Sequence, residues 1–523
     1  MVQPSREQQP LDREAITKTV GSRQPWYLAS GLVLFLVIYF LPLPPPLTLD
    51  SEVIVLTHGG KLCLGLLAVA ILFWVTEVLP FHVTALGAML LMPLLGVTDG
   101  VQVLKESGEV VRITGVAQGY KEIVRISFGN DLILFFLGVF LLSGAFSYTS
   151  LGRRMTLNML RILGVSTRRV LLGFLIMGTL ISMWVSDVGV AAILLPIGVG
   201  ILKQAGCEPL RSNFGKALMI SSCWGPIFGG IGTPAGCGPN PIAISFMRSL
   251  TGMEISFLDW MLIGVPASLI LIPFGWIVLM VMFPPEIREL PLSREDIHRQ
   301  LKNLGRISRP EIGTVVIFAA VIFLWVFNPL IACLTGGVID LPISFVSILG
   351  GVLLFLPPFR VLDQEKAAQA VSWDSIILIM ASLGLGMMTY HTGAAKWLAV
   401  ILLGGITSLS PVALVFAVVL VVMFMKLFLA SNTVTGIIII PILISLAVSF
   451  DIHPWVLVAP AAFTSSLGII LITQTPTNII PYTSGYFTIG DFARSGIVMS
   501  VIMVMLITVV ITVIGPISGI YSY

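Results

Sequence analysis

Fifteen stretches of this 523-residue chain run without one charged side chain, several of them for more than 25 residues. A soluble core of this size cannot hide so much continuous apolar sequence, whereas about 20 such residues suffice for a helix to cross the hydrocarbon of a bilayer. Charged residues make up 11% of the chain, against roughly 25% in soluble domains, and hydrophobic residues 56%. A soluble enzyme and a nucleic-acid binder are thereby excluded, and a net charge of +3 is too small and too dispersed to call for a polyanion partner. Five cysteines without a CxxC spacing indicate neither a disulfide framework nor a zinc site, and read as small buried fillers. Residues 1–26 are polar, with Arg6, Arg13, Lys18 and Arg23, and no small-residue cleavage site follows. They read as a cytoplasmic tail ahead of a retained first helix rather than as a signal peptide.

The largest polar interruption, 286–311, carries Arg288, Arg294, Arg299, Lys302, Arg306 and Arg309 among acids. It reads as a cytoplasmic linker between a first unit (27–285, one leading helix plus a first repeat) and a second repeat (312–523). The halves echo each other. Ser186 precedes Pro196 by ten residues and Ser431 precedes Pro441 by ten; Asp131 lies 55 residues before Ser186 and Asp374 lies 57 before Ser431. A Thr-Pro pair followed by Asn comes next, as Thr233-Pro234 through Asn240 and as Thr475-Pro476-Thr477-Asn478, beginning 47 and 44 residues after the serines. Four landmarks in one order at a period of 245 residues point to duplication, as in transporters.

Arg153, Arg154, Arg161, Arg168 and Arg169 precede the first serine, and Lys203, Arg211 and Lys216 follow it. Both flanks should face the cytoplasm, so residues about 170–202 must turn back at depth as a re-entrant hairpin. The flanks of the second hairpin, about 412–449, hold no Lys or Arg at 397–411 or 449–454, so it should enter from outside. Inverted repeats with their tips meeting near the midplane follow. At the second tip, Ala430-Ser431-Asn432-Thr433 offers capping residues, and a half-helix starting there would aim free N–H groups and its positive dipole end at a cavity. The plain alternatives are that these residues close tight turns and that the Thr-Pro segments are proline kinks.

From Trp74-Val75-Thr76-Glu77-Val78-Leu79-Pro80 through Ser182-Met183-Trp184-Val185-Ser186, Gly232-Thr233-Pro234 and Ser431-Asn432-Thr433 to Thr475-Pro476-Thr477-Asn478, the chain resembles the divalent anion/sodium symporters, which carry dicarboxylates, citrate or sulfate. The resemblance implies an all-α polytopic membrane protein with two inverted repeats, two re-entrant hairpins and broken helices. It also implies a homodimer in which a transport domain moves against a scaffold as an elevator. Ser182, Ser186, Asp187 and Gly232 would line one sodium site and Ala430, Ser431, Asn432 and Thr475 a second. The substrate would be gripped by Asp187, Val188, Asn432, Thr433, Pro234 and Thr477. No cofactor is implied beyond sodium ions.

Two departures from that pattern stand out. The first tip should read Ser-Asn-Thr and reads Ser186-Asp187-Val188. An ionised acid about 4 Å from a substrate carboxylate would cost roughly 4 kcal/mol at an effective dielectric of 20, so Asp187 must be protonated or paired with a cation if it reaches the substrate. The second is Lys426, the one charge between Lys396 and Asp451, followed by Leu427 where the family places a threonine that helps hold the second sodium. An ammonium there could stand in for that ion; the alternatives are snorkelling to the interface and a static pair with Asp187. Asp187 and Lys426 are the coupling candidates. His391 reads as interfacial at a helix end rather than as a proton relay.

No G-x-x-x-x-G-K-[ST] run and no H-E-x-x-H is present, which argues against a nucleotide-driven pump and a metalloenzyme. The expectation is therefore an inner-membrane carrier of small dianions, C4 or C5 dicarboxylates, with a cytoplasmic N-terminus and cation coupling, sodium by resemblance. Sodium-independent exchange, proton coupling and a passive anion channel are the alternatives. Which anion is carried is not legible at this level.

Overall fold

The computed structural model describes residues 13–49, 52–104, 110–291, 294–403, 405 and 409–521. Arg6 and the start of the expected tail lie outside the described residues, as do positions 292 and 293 of the linker. Among the described residues the protein is almost wholly helical, and its strands form only two short antiparallel pairs, Leu47–Leu49 with Glu52–Ile54 and Gln102–Leu104 with Val110–Arg112. Eight helical segments among them are long and apolar enough to cross a membrane. The first helix runs Arg13–Phe40, with Pro25 inside it, and so begins well before the expected boundary at residue 27. Glu14, Ala15 and Lys18 are good helix formers, and a helix needs no apolar surface to continue out of a bilayer.

Both expected hairpins are helix–turn–helix units. The first has arms Thr167–Ser182 and Asp187–Gln204, and the second Pro411–Lys426 and Asn432–Ser449. Each is followed by a helix that breaks and restarts: Asn213–Gly230 then Pro239–Thr251, and Trp455–Ser466 then Pro476–Tyr482. Proline at the first helical position sets each restart, because its missing N–H is one that the first turn leaves unpaired anyway. Every residue of Trp455–Ser466 is buried, so this helix is enclosed by protein and meets lipid on no side. Small residues permit the tight packing that membrane helices rely on. A Cβ added to Gly225 would stand 3.0 Å from Leu175 O and 3.2 Å from Gly178 Cα of the neighbouring arm.

The duplication is visible in hydrogen bonds. Asn240 Nδ2 donates to Gly230 O and Thr233 O, both at 2.7 Å, ten and seven residues back. Asn478 Nδ2 donates to Gly468 O at 2.8 Å and Leu471 O at 3.2 Å, again ten and seven residues back. Each amide ties its break together: it donates to Gly230 O or Gly468 O, and it shares Thr233 O or Leu471 O with the backbone N–H of Gly236 or Gln474. Counting back three residues from each asparagine pairs Cys237 with Thr475. The two Thr-Pro pairs therefore do not occupy equivalent places.

The repeats interlock. Asp187–Gln204 packs against Pro476–Tyr482, and Asn432–Ser449 packs against Pro239–Thr251; outside them, Leu132–Tyr148 packs on Ile343–Leu353 and Trp373–His391 on Phe81–Leu94. The linker is anchored rather than slack. Thr167 Oγ1 donates to Ile287 O at 2.7 Å, and Arg154 grips Glu311 at 2.7 Å together with the carbonyls of Leu304, Gly305 and Arg306. Within the linker, Arg294–Asn303 forms a helix of its own.

Candidate functional site

The two tips and the two breaks open onto one cavity of about 400 Å³. Ser186, Asp187 and Val188 line it from the first hairpin, and Ala430, Ser431, Asn432 and Thr433 from the second. Ala235 through Gly238 and Thr475 with Pro476 line it from the breaks. The opposite wall comes from the helices outside the repeats' hairpins, including His82, Phe136 and Asp374. His82 Nδ1 lies 3.7 Å from Asp374 Oδ1 across that wall.

Local chemistry explains each tip. In the second, Ser431 caps the new helix by accepting from Val434 N at 3.4 Å, and Thr435 Oγ1 returns a bond to Ser431 O at 2.9 Å. In the first, Ser186 makes no side-chain cap; Asp187 Oδ1 instead accepts from Val188 N at 2.9 Å. An acid in the first turn sits where free N–H groups and the helix dipole favour negative charge. Helices Asp187–Gln204, Pro239–Thr251 and Asn432–Ser449 all begin at the cavity, so positive dipole ends converge on it without an arginine or lysine in its lining.

Each tip also meets the break of the other repeat. The Thr477 hydroxyl is within hydrogen-bonding reach of the Asp187 carboxylate, and Thr475 Oγ1 lies 3.2 Å from Thr477 Oγ1. Asn432 Nδ2 donates to Cys237 Sγ at 3.3 Å, leaving Oδ1 buried and without a partner among the described residues. Thr433 lies over Gly238, where an added Cβ would stand 2.4 Å from Oγ1, so a larger residue there would have to displace the Thr433 side chain.

Of the residues expected from the sequence, Ser186, Asp187, Val188, Ala430, Ser431, Asn432, Thr433 and Thr475 stand together on the cavity. Ser182 and Thr477 lie buried just behind it, and the Ser182 hydroxyl has no partner among the described residues. Gly232 and Pro234 are not among the lining residues. Gly232 is packed against Met183 and Gly264, and the Thr233 hydroxyl donates to Met183 O. Their places are taken by Gly236, Cys237 and Gly238, because the break turns back on itself around the Asn240 amide. Lys426 is fully buried behind the second tip, with Nζ 2.8 Å from Gln474 O and 3.3 Å from Leu429 O. Snorkelling is thereby excluded. It makes no direct ion pair with Asp187 among the described residues, although the two are near enough for their charges to attract. His391 ends its helix edge-on to Tyr390, away from the cavity.

Cys237, His82 and Asp374 line the cavity although sequence reasoning did not single them out as site residues. Counting back from Asn240 as Thr475 counts back from Asn478 would have found Cys237.

A family described as the sodium:sulfate symporter transmembrane region matches residues 22–520. The sodium-dependent dicarboxylate transporter SdcS of Staphylococcus saprophyticus is 32% identical over 468 residues, covering 86% of this chain and 85% of that one. SdcS of Staphylococcus aureus strain USA300 is 30% identical over 463 residues, covering 85% and 84%. Among solved structures, the Alcanivorax borkumensis YdaH transporter shares the fold at a TM-score of 0.56 and 14% identity, over 85% of this chain and 98% of that one. Neisseria gonorrhoeae MtrF shares it at 0.54 and 12%, over 83% and 94%. A nearly all-helical, multi-pass chain with this sequence kinship is a transporter and not an enzyme, and it belongs to the sodium:sulfate symporter family.

Proposed function

We propose that the protein is a secondary active carrier of small dianions, C4 or C5 dicarboxylates, which binds them in the cavity between the hairpin tips and couples their movement to a cation. The observation that carries this reading is the convergence of three helix N-termini and two polar tips on one cavity, which offers N–H and hydroxyl donors to carboxylates without a fixed positive charge in the lining. The names of the Staphylococcus relatives support both a dicarboxylate substrate and sodium. Val188 replaces a hydroxyl by an isopropyl group on one side, so Asn432, Thr433 and the backbone amides carry most of the grip. Ser182, Ser186, Asp187 and the Gly236 carbonyl would hold sodium at the first tip, where the unpartnered Ser182 Oγ is an acceptor in search of a donor or cation.

The cavity lies between the hairpins and breaks on one side and helices Phe81–Leu94, Leu132–Tyr148 and Trp373–His391 on the other. A carrier that moved the first group against the second, as an elevator, would expose it to each side in turn. Homodimeric assembly in the bacterial inner membrane, with the N-terminus in the cytoplasm, belongs to the same reading, and the Arg-rich flanks of the first hairpin support the orientation.

Uptake of labelled succinate into proteoliposomes, with sodium and pH varied independently, tests it. Saturable uptake that is accelerated by unlabelled succinate preloaded inside is expected. Uptake without such trans-stimulation would mean a passive channel, and flat uptake of all C4 and C5 dicarboxylates would remove the substrate class. Loss of uptake without sodium, with no pH dependence, would exclude exchange and proton coupling.

A further inference from the structure

A duplicated frame lets a position in one repeat be compared with its counterpart. Ser182 stands four residues before Ser186, and the same count back from Ser431 gives Leu427. Gly236 stands four residues before Asn240, and the same count back from Asn478 gives Gln474. In the first repeat these positions meet at Ser182: its Oγ is buried with no partner among the described residues, and a Cβ on Gly236 would lie 2.9 Å from Ser182 O, while the nearby Gly230 O is taken up by the Asn240 amide.

In the second repeat Leu427 brings no oxygen, and the Gln474 carbonyl is already engaged by Lys426 Nζ at 2.8 Å. The rest of the ammonium's surroundings is built around it. Leu429 O accepts a second bond at 3.3 Å, and the lysine stem passes Gly468, where an added Cβ would stand 3.0 Å from Cε. Gln474 returns a bond from Nε2 to Lys426 O at 3.0 Å, while its Oε1 accepts from Ile470 N at 2.8 Å and Leu471 N at 2.9 Å. The acceptors are main-chain carbonyls at a hairpin tip and at a helix break, the kind of group that holds a small monovalent cation at such breaks. A buried ammonium is tolerated only where such acceptors meet it, and here they do.

We infer that the Lys426 ammonium is a tethered substitute for a free cation at the second hairpin, so that any sodium coupled to transport binds on the Ser182 side alone. The inference deepens the transport reading above and rests on it for the role of the first tip. Its consequence is a carrier that keeps one positive charge at the second tip in every state, loaded or empty, and needs at most one sodium per cycle from the two hairpin sites.

The test is thermal unfolding of the full-length protein in detergent, without substrate, with sodium titrated against choline. The wild type should show a single-site sodium response with a Hill coefficient of about 1 or none at all. Lys426→Ala should unfold several degrees lower in choline and gain a sodium-dependent rise in Tm that the wild type lacks. Methylammonium, which supplies the missing ammonium, should produce the same rise in the variant and none in the wild type. A variant with no response beyond that of the wild type to either cation would overturn the inference, as would a wild-type Hill coefficient near 2. Should Lys426→Ala not fold, the wild-type sodium titration still decides, and Lys426→Ser provides a second opening of the same space. The dicarboxylate reading is tested in a separate arm by adding succinate: no succinate shift in any background, with the variant's new sodium response intact, would sink the substrate class and leave the tethered charge standing.

Discussion

Asp187 opens the second arm of the first hairpin, whereas Asn432 at the matching place in the second hairpin is neutral and the formal charge sits at Lys426, on the other arm. The backbones around them agree closely enough that Asn240 and Asn478 bond carbonyls at the same two spacings. Duplication has therefore kept the frame and let the charges drift apart, an acid on one side and a base on the other, with each held by groups from a break. Asp187 meets Thr477 of the opposite repeat, and Lys426 meets Gln474 of its own. On the readings proposed above, one half would attract a cation and the other would carry its own.

The comparison breaks most severely if the frame itself is unequal. Asn240→Ala and Asn478→Ala each leave one buried carbonyl, Gly230 O or Gly468 O, without its donor, while Thr233 O and Leu471 O keep a backbone N–H from Gly236 and Gln474. At about 1–3 kcal/mol per unsatisfied group, each should cost about 1–3 kcal/mol and impair uptake severely. Tm in detergent reads the loss, and a large effect at one asparagine with none at the other would show that the breaks are not equivalent. The charges come next. Asp187→Asn should shift the pH optimum of uptake or raise its sodium dependence, and Lys426→Leu should impair uptake by its own route. Because the two charges attract, the double variant should differ from the sum of the singles by about 1 kcal/mol or more in uptake rate, and strict additivity would mean that they act independently.

A smaller and opposite pair of effects should separate the two cation positions. Ser182→Ala removes an oxygen ligand, and the sodium concentration for half-maximal uptake should rise about tenfold, equivalent to about 1.4 kcal/mol. Leu427→Thr adds an oxygen at the position that corresponds by count to Ser182 and should leave the sodium curve unchanged; a new sodium requirement there would contradict the tethered charge. The smallest effect concerns Cys237, which borders the cavity. In a background with Cys207 and Cys333 replaced by serine, its labelling by a charged thiol reagent should slow when succinate is present.

The hairpins were legible in the sequence because a polar tip between two apolar arms is a local pattern, and Ser186 and Ser431 mark both tips. Charge asymmetry around them is equally plain. The first break was harder. Thr233-Pro234 and Thr475-Pro476 look alike as dipeptides, yet equivalence is set by the asparagine amide that crosses each break, a tertiary fact that places Gly236 and Cys237, rather than Gly232 and Pro234, at the cavity. A cysteine opposite a threonine gives no sign of kinship by residue type. His82 carried no motif, and Asp374 marked the repeat without showing its place at the cavity, since the two come from elements almost 300 residues apart and meet only because Phe81–Leu94 and Trp373–His391 pack together. Lys426 stood out as a lone charge, but the carbonyls that receive it are visible only in three dimensions.

The amides of Asn240 and Asn478 have a mechanical consequence. A gap in a helix is usually a place where a rod can flex, but here a side chain rivets the two edges of each gap together. Such a rivet opposes flexing at the break. On the elevator reading proposed above, access to the two faces of the membrane would come from sliding whole blocks past one another, along the seam that His82 and Asp374 border.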